Sequence, residues 1–319
     1  MQAPSKRTAA IDDSVMVDAR VVRFGHYLFI AHSEARLQRE SFLSRVLEYI
    51  DGEWKVLAEW PWQSVALALS SLQPLQVEVL GRDGEVGTVT QAGASSARID
   101  PTRPVGPFRG IESVAAGLFA FGMKREVFRR EQTGAWSRIT EGMEAAVPAA
   151  GLTMREKVKL RLADVGGINA LAVDQSQRLF VFGMKGEIWR RESDKWVRVD
   201  SPTNVMLKDA IQGSDHSIFV CGQSGTILNG SGDVWRVVSY VGPPGLDFCS
   251  ICEHNRRIFV ADGHSLRLLE NGELKLVNFG TKGIVPCAVV VAGPGAILSV
   301  AGQEVWASAD ALSWNRILG

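Results

Sequence analysis

A short sequence template recurs along this chain, and it limits the possible folds more than any other feature. Residues 117–131 read GLFAFGMKREVFRRE, and residues 178–192 read RLFVFGMKGEIWRRE. Each copy contains an apolar run, a glycine, a short turn and a second apolar run. The same pattern recurs around Gly81, Gly222 and Gly302. A chain that repeats one supersecondary unit in this way is expected to pack the units side by side into one structure.

The spacing of the template identifies the unit. Together with Gly263 and a weaker copy at His32, the anchor positions are 32, 81, 122, 183, 222, 263 and 302, at intervals of 49, 41, 61, 39, 41 and 39 residues. A period of about 40 residues is typical of β-propeller blades and also of HEAT or armadillo helix pairs. The pieces inside each unit are short and rich in Val, Ile, Phe and Trp, which favours strands. We therefore predict an all-β fold, a seven-bladed β-propeller of four-stranded antiparallel blades.

The repeat also sets the expected domain organisation. We expect a flexible N-terminal segment over residues 1–14 and a single propeller over residues 15–319. The predicted blades span residues 15–62, 63–106, 107–150, 165–203, 204–245, 246–284 and 285–319, with an insertion at 140–167. The first and last units each contain four candidate strands. The sequence therefore does not indicate how the first and last blades are joined.

A tryptophan stands near the start of the fourth candidate strand in most units. The five residues are Trp54, Trp136, Trp196, Trp235 and Trp314. Because they recur in register, we expect them to fill the gaps between blades, where each would bury a large apolar area. The alternative is a set of sugar-stacking platforms on the surface.

One turn carries a resemblance to a known repeat family. Residues 308–314 read SADALSW, which resembles the Ser-x-Asp-x-x-x-Trp Asp-box of bacterial neuraminidase-type (BNR) repeats, and residues 192–196 and 230–235 resemble shortened forms. The whole unit also resembles the repeats of photosystem II assembly-factor-like and WD40-like propellers. The glycine that is usual in the box is replaced by Leu312. The resemblance implies the propeller fold and no activity, since the Asp-box aspartate ties down its own turn.

Charge and composition exclude several classes of partner. The 319 residues include 35 Lys and Arg against 35 Asp and Glu, so the formal net charge is zero. Because such a chain lacks the basic excess that binds phosphate backbones, we expect no nucleic-acid partner. No stretch reaches the roughly 18 apolar residues of a membrane-spanning helix, so we expect no membrane partner. Four cysteines are too few for a disulfide framework, and we expect a cytoplasmic protein.

The sequence contains no recognisable catalytic or metal-binding pattern. Cys249 and Cys252 form a CxxC pair, but they fall inside a candidate strand, and we expect two buried thiols. Residues 108–111 match the Phe-Arg-Ile-Pro motif of sialidases only at the first two positions, and the chain has three tyrosines. No phosphate-binding loop or nucleophile elbow is present. We therefore expect no enzymatic activity, no metal and no cofactor.

The candidate binding residues lie in loops. Loops that join strand four to the next blade, and strand two to strand three, meet on one face of a propeller and present side chains to partners. The candidate partner-binding residues there are Trp60, Trp62, Arg103, Phe108, Arg109, Met123, Lys124, Arg125, Arg155, Lys157, Lys159, Met184, Lys185, Tyr240 and His264. They belong to types enriched in protein interfaces, although Trp60 and Trp62 fit equally well as packing beneath the loops.

The basic residues within the 140–167 insertion bear on the kind of partner. Arg155, Lys157 and Lys159 alternate with apolar residues, which would form a basic ridge that attracts an acidic protein or a solvated face. We predict a non-catalytic propeller that binds another protein, and one specific hypothesis is a bacterial immunity protein that neutralises a toxin. The alternatives are an assembly factor or scaffold, and a glycan-binding or sialidase-like glycoside hydrolase. The last would require arginines and carboxylates that converge at the central channel.

Overall fold

The computed structural model describes residues 9–70, 75–99, 106–144, 153–156 and 166–319. Within these ranges the chain forms seven four-stranded antiparallel sheets, each made of consecutive strands. The predicted seven-bladed β-propeller is therefore confirmed. None of the helices in the described ranges is long and apolar enough to cross a membrane.

The strands of the first four blades have the following bounds. The first blade contains β1 (Ser14–Arg23), β2 (His26–Ser33), β3 (Ser44–Ile50) and β4 (Glu53–Trp60). The second contains β5 (Ser64–Leu69), β6 (Val77–Gly81), β7 (Glu85–Thr90) and β8 (Gly93–Arg98). The third contains β9 (Phe108–Val114), β10 (Gly117–Gly122), β11 (Val127–Arg130) and β12 (Trp136–Arg138). The fourth contains β13 (Ile168–Val173), β14 (Leu179–Gly183), β15 (Ile188–Glu192) and β16 (Lys195–Val199).

The remaining blades follow the same plan. The fifth contains β17 (Leu207–Gln212), β18 (Ile218–Gly222), β19 (Ile227–Ser231) and β20 (Val234–Val237). The sixth contains β21 (Ser250–His254), β22 (Arg257–Ala261), β23 (Leu266–Glu270) and β24 (Glu273–Leu276). The seventh contains β25 (Val289–Gly293), β26 (Ala296–Ala301), β27 (Glu304–Ser308) and β28 (Asn315–Leu318). Short helices are α1 (Ala9–Asp12), α2 (Glu34–Leu37) and a 3-10 turn at Met184–Gly186.

The first strand of each blade lines the centre of the molecule. Each of these seven strands contacts the first strand of both neighbouring blades, and β25 contacts β1, so the ring is closed. No sheet in the described ranges borrows a strand from the other terminus. The closure instead uses side-by-side packing and the backbone bond from Met16 N to Gly302 O, at 2.9 Å.

The N-terminal segment differs from the expectation of flexibility over residues 1–14. From residue 9 the chain is packed: Ile11 in α1 is 1% exposed and joins the apolar cluster between the first and seventh blades. The side chain of Gln303 donates to Asp12 O and to Glu34 Oε2, both at 3.1 Å. These contacts place α1 across the joint between first and last blades. Residues 1–8 lie outside the described part of the chain.

The recurring tryptophans pack between blades, as expected. Trp196 of the fourth blade is 2% exposed, packs in a cluster with Phe119 and Phe121 of the third, and donates from Nε1 to Ile139 O at 2.6 Å. Trp235 packs in the same way against the two phenylalanines of β14, with ring centroids 5.7 Å and 5.3 Å away. Trp54 and Trp314 are also buried, whereas Trp136 is half-buried. These rings join neighbouring sheets into one core.

The turn that resembles an Asp-box has the hydrogen bonds that such a turn requires. Asp310 Oδ1 accepts from the backbone N–H groups of Leu312 and Ser313, each at 2.8 Å. Ser308 Oγ donates to Asp310 Oδ1 at 3.0 Å. These three bonds to the charged form lower the pKa of Asp310 to about 2. The aspartate therefore serves its own turn.

Candidate functional site

One face of the ring gathers the connections from each fourth strand to the next blade and the turns between second and third strands. We call it the loop face. Its described segments are residues 34–43, 61–63, 82–84, 106–107, 123–126, 139–144, 184–187, 200–206, 223–226, 238–249, 262–265, 277–288 and 302–303. The inner strands begin at this face, so the mouth of the central channel opens between these loops.

A β-bulge shapes the channel mouth in five consecutive blades. Near its start, the first strand of each of blades one to five contains an extra residue relative to the neighbouring strand. The extra residues are Val17, Val65, Arg109, Asn169 and Lys208. All five line the same central cavity of about 450 Å³. Because a bulge bends its strand and redirects a side chain, it presents Arg109 and Lys208 at the mouth.

A continuous series of contacts runs from the second blade to the third around this mouth. The carbonyl of Arg82 accepts from Phe108 N at 2.8 Å, which places the second-blade turn beside the start of β9. Next to Phe108, the exposed Arg109 side chain lies with Nη2 3.7 Å from Met123 Sδ. The exposed Lys124 follows Met123 in the turn between β10 and β11. These basic residues are therefore neighbours on the loop face.

The series continues into the fourth blade through two methionines. Their sulfur atoms both lie against Gly167: a Cβ there would be 2.8 Å from Met123 Sδ and 3.3 Å from Met184 Sδ. Both methionines are half-buried, and Met184 leads directly to the exposed Lys185. The two copies of the Gly-Met-Lys template thus stand side by side, each with an exposed lysine.

Several candidate partner-binding residues are buried and do not belong to the exposed surface. Trp60 is 8% exposed and stacks on the half-buried Trp62, with centroids 5.2 Å apart, so these two pack beneath the loops. Phe108 is 2% exposed and packs against Phe128. Their large apolar rings gain more from burial than from a place at the surface.

Two further candidates have structural partners. Arg125 is buried and its guanidinium contacts Glu187, with Nε to Oε2 at 2.8 Å and Nη2 to Oε1 at 2.6 Å. The half-buried Tyr240 donates from its hydroxyl to Gly225 O at 2.7 Å, which fastens the connection between the fifth and sixth blades. The expectation that Arg125 is an exposed contact residue is wrong, because a buried carboxylate in the next blade requires its charge.

The remaining candidates are divided between exposed and undescribed positions. Arg155 and His264 are exposed, and the backbone N–H of His264 donates to Asp262 Oδ1 at 2.9 Å. Arg103, Lys157 and Lys159 lie outside the described residues. The basic ridge predicted for the 140–167 insertion therefore stays a prediction. Of its three basic residues named above, the structure describes Arg155.

The interior of the channel carries a charged cluster that sequence reasoning missed. Arg20 donates from Nη1 to Asp18 Oδ1 at 2.8 Å and from Nη2 to Glu112 Oε1 at 3.1 Å, which joins the first blade to the third. The Glu112 side chain faces the channel and is 37% exposed; desolvation by the surrounding strands raises its pKa to about 7, although Arg20 opposes the shift. Desolvation also raises the pKa of Asp209. Arg20 and Glu112 are 92 residues apart, so no local pattern indicates their pairing.

The channel acids also connect adjacent inner strands. Asp18 Oδ2 accepts from Leu67 N at 3.0 Å, between the first and second blades. Asp209 Oδ2 accepts from Ile251 N at 2.9 Å and from Ser250 Oγ at 3.0 Å, between the fifth and sixth. These carboxylates satisfy backbone donors that would otherwise be unpaired next to the channel. These carboxylates therefore connect neighbouring blades and also place negative charge in the channel.

The CxxC pair does not act as a unit. Cys252 is buried, as expected, but Cys249 is exposed at the channel mouth, which corrects the expectation of two buried thiols. The Cys249 thiol donates to Ala288 O at 3.0 Å, and partial desolvation at the channel mouth raises its pKa to about 11. No group of three His, Cys, Asp or Glu side chains within the described ranges is arranged to hold a metal ion.

Comparison with known proteins gives a relative over almost the whole length of the chain. No protein-family model matches the sequence. Immune protein Tsi7 of Pseudomonas aeruginosa is 27% identical over 306 residues, which cover 93% of this chain and 95% of that protein.

Two solved structures have a similar arrangement of blades. YCF48 bound to D1 peptide has a TM-score of 0.63 at 12% identity, with 92% of this chain and 90% of that chain covered. The WD40 β-propeller domain of Doa1 has a TM-score of 0.64 at 13% identity, with 92% of each chain covered. The chain thus has the β-propeller fold of the WD40 and YCF48 structures, and its sequence is similar over nearly its full length to Immune protein Tsi7.

Proposed function

We propose that this protein is an immunity protein, a non-catalytic propeller that binds a toxin protein through its loop face and neutralises it. The observation that carries the proposal is the similarity to Immune protein Tsi7, which extends over 93% of this chain and therefore includes all seven blades. A neutralising protein needs a rigid surface of defined shape, and the closed ring supplies one because its loops are anchored on packed strands.

The geometry of the channel favours binding over catalysis. A sialidase-like centre needs arginines that are available to a substrate carboxylate and a tyrosine nucleophile. Arginine and carboxylates do meet in this channel, but the guanidinium of Arg20 is occupied by Asp18 and Glu112. The described residues that line the cavity include no tyrosine. The cluster therefore serves better as a structural connection between blades than as a hydrolytic centre.

The assembly-factor alternative has support of a different kind. The YCF48 structure, which is bound to the D1 peptide, has a similar fold, and at 12% identity this likeness concerns the fold alone. The relative with the higher identity along the whole chain is the immune protein. We therefore place toxin neutralisation first.

A co-expression experiment tests the proposal. A candidate toxin, the secreted protein encoded beside this chain in its own genome, would be expressed in an indicator bacterium with and without this protein. We expect growth arrest with the toxin alone and restored growth with both proteins. Continued arrest in the presence of well-folded, abundant propeller would contradict the proposal, and cleavage of a fluorogenic sialoside panel would revive the hydrolase alternative.

A further inference from the structure

We propose that the loop face binds an acidic surface of its protein partner through a basic arc around the channel mouth. The basic arc consists of Arg82, Arg109, Lys124, Lys185 and Lys208. The inference rests on the proposed function, because it takes the partner to be a protein. It adds that the partner's contact surface is acidic and that blades two to five bind it.

The basic arc is continuous over four adjacent blades. The backbone carbonyl of Arg82 accepts a hydrogen bond from Phe108 N, at the start of β9. The next residue in β9 is Arg109, the extra residue of the bulge. Arg109 contacts Met123, which precedes Lys124. In the fifth blade, Lys208 lines the same cavity as Arg109.

The charges of four arc residues, Arg82, Arg109, Lys124 and Lys208, are available to a partner, in contrast to many arginines elsewhere on the ring. Four of the five arc residues form no ion pair within the described part of the chain: Arg82, Arg109, Lys124 and Lys208. Away from the loop face, Arg23 pairs with Asp51, Arg178 with Asp174, and Arg316 with Glu304. These four unpaired cations outnumber the exposed carboxylate of Asp83, which follows Arg82, and so create a local positive potential even on a chain whose net charge is zero.

The arc covers only part of the channel mouth. The corresponding inner-strand position is Val17 in the first blade, and Cys249 stands at the start of the sixth. The turns between second and third strands carry His264 in the sixth blade and Gln303 in the seventh. In the first blade this loop carries the exposed Arg36 and Arg39 together with the exposed Glu34 and Glu40, so its charges cancel. A partner held by charge would therefore lie over blades two to five and leave the joint between first and seventh blades uncovered.

A hollow within the arc fits a single acidic side chain. Arg82 and Arg109 border a cavity of about 340 Å³, whose wall also includes the polar residues His32, Gln63 and Ser64 and the apolar residues Val17, Val65, Pro107 and Phe108. The two guanidinium groups can form charge-assisted hydrogen bonds with a carboxylate that enters the hollow. We assign this hollow to an Asp or Glu side chain at the centre of the partner's contact surface.

An acidic protein fits the surface better than a nucleic acid. Four carboxylates, those of Asp18, Glu112, Asp209 and Glu253, line the central cavity that the arc borders. A polyanion of uniform charge laid across the mouth would face these acids, whereas a protein can place acidic residues over the arc and neutral or basic ones over the channel. Charge complementarity of this kind increases the rate of association and selects among partners.

The experiment compares two double charge reversals that change the net charge equally. The first, Arg109→Glu with Lys124→Glu, changes the arc. The control, Lys55→Glu with Lys195→Glu, changes exposed lysines on the outer strands β4 and β16. The probes are a fluorescein-labelled glutamate peptide, with two blocks of three glutamates separated by neutral residues, and a labelled oligothymidylate of equal charge. Binding is followed by fluorescence anisotropy at low and at physiological salt, with thermal melts of every variant.

The expected result is that the arc variant binds the glutamate peptide at least about tenfold more weakly than wild type, whereas the control changes it less than about twofold. Equal binding by all three proteins would overturn the proposal, as would tighter binding of the oligothymidylate than of the peptide. The variants would then be tested for growth protection. If the wild-type protein gives no protection but the arc variant loses peptide binding, the basic arc is supported. Only toxin neutralisation is then rejected.

Discussion

The guanidinium of Arg125 in the third blade contacts the carboxylate of Glu187 in the fourth through two hydrogen bonds, at 2.8 Å and 2.6 Å. Glu187 is 3% exposed, and Arg125 also lies over the ring of Trp189 at 5.9 Å. The pair is a buried connection between blades, immediately below the exposed Lys124.

We expect Arg125→Met to destabilise the protein by about 3–5 kcal/mol, because it leaves the Glu187 charge buried without its partner. Urea unfolding followed by tryptophan fluorescence measures the change. The neighbouring Lys124→Met is the matched control, and its cost should stay within about 0.5 kcal/mol since Lys124 is exposed. Equal stability of the two variants would show that the buried pair has no structural role.

Truncation of an inter-blade tryptophan should also be costly. Trp196→Ala removes a side chain that is 2% exposed, so we expect a loss of about 3–5 kcal/mol in the free energy of unfolding. The half-buried Trp136 occupies the corresponding position in the third blade, and Trp136→Ala should cost less. The same urea titration compares them, and an unchanged midpoint for Trp196→Ala would remove this residue from the core.

Glu112 should make stability decrease as the pH rises. Its pKa in the folded protein is raised from 4.5 to about 7, so the folded state holds a proton that the unfolded state releases. The resulting stabilisation is complete below pH 4.5 and is lost as the pH rises through about 7.

Glu112→Gln should therefore flatten the pH dependence of the melting temperature in this interval, whereas Glu141→Gln, at an exposed position on the loop face, should leave it unchanged. Thermal melts between these two pH values provide the measurement. A slope in Glu112→Gln identical to that of wild type would assign the pH dependence to other groups.

The blades could be predicted from the sequence because each one is a local unit. The Gly-Met-Lys template fixes the turn between β14 and β15, and the recurrence of Trp196 and Trp235 in register indicates the packing between sheets. The Asp310 turn was also visible, since every hydrogen bond of its carboxylate lies within three residues. Such features depend on neighbours in the chain.

The candidate site depends instead on contacts between distant parts of the chain. Arg125 and Lys124 are adjacent basic residues, and only Glu187, 62 positions further along the chain, determines that one is buried and the other exposed. The bulge that presents Arg109 interrupts the alternation of β9 without any change in composition. The burial of Phe108 likewise follows from packing against another strand, at Phe128.

The central claim is that the loop face binds a toxin protein. Size-exclusion chromatography with light scattering, on purified propeller mixed with the protein encoded beside it, tests this claim most directly. We predict a stoichiometric complex for wild type and for Lys55→Glu with Lys195→Glu, and separate elution for Arg109→Glu with Lys124→Glu. Separate elution of the wild-type proteins, or a complex unaffected by reversal of the arc charges, would contradict the account.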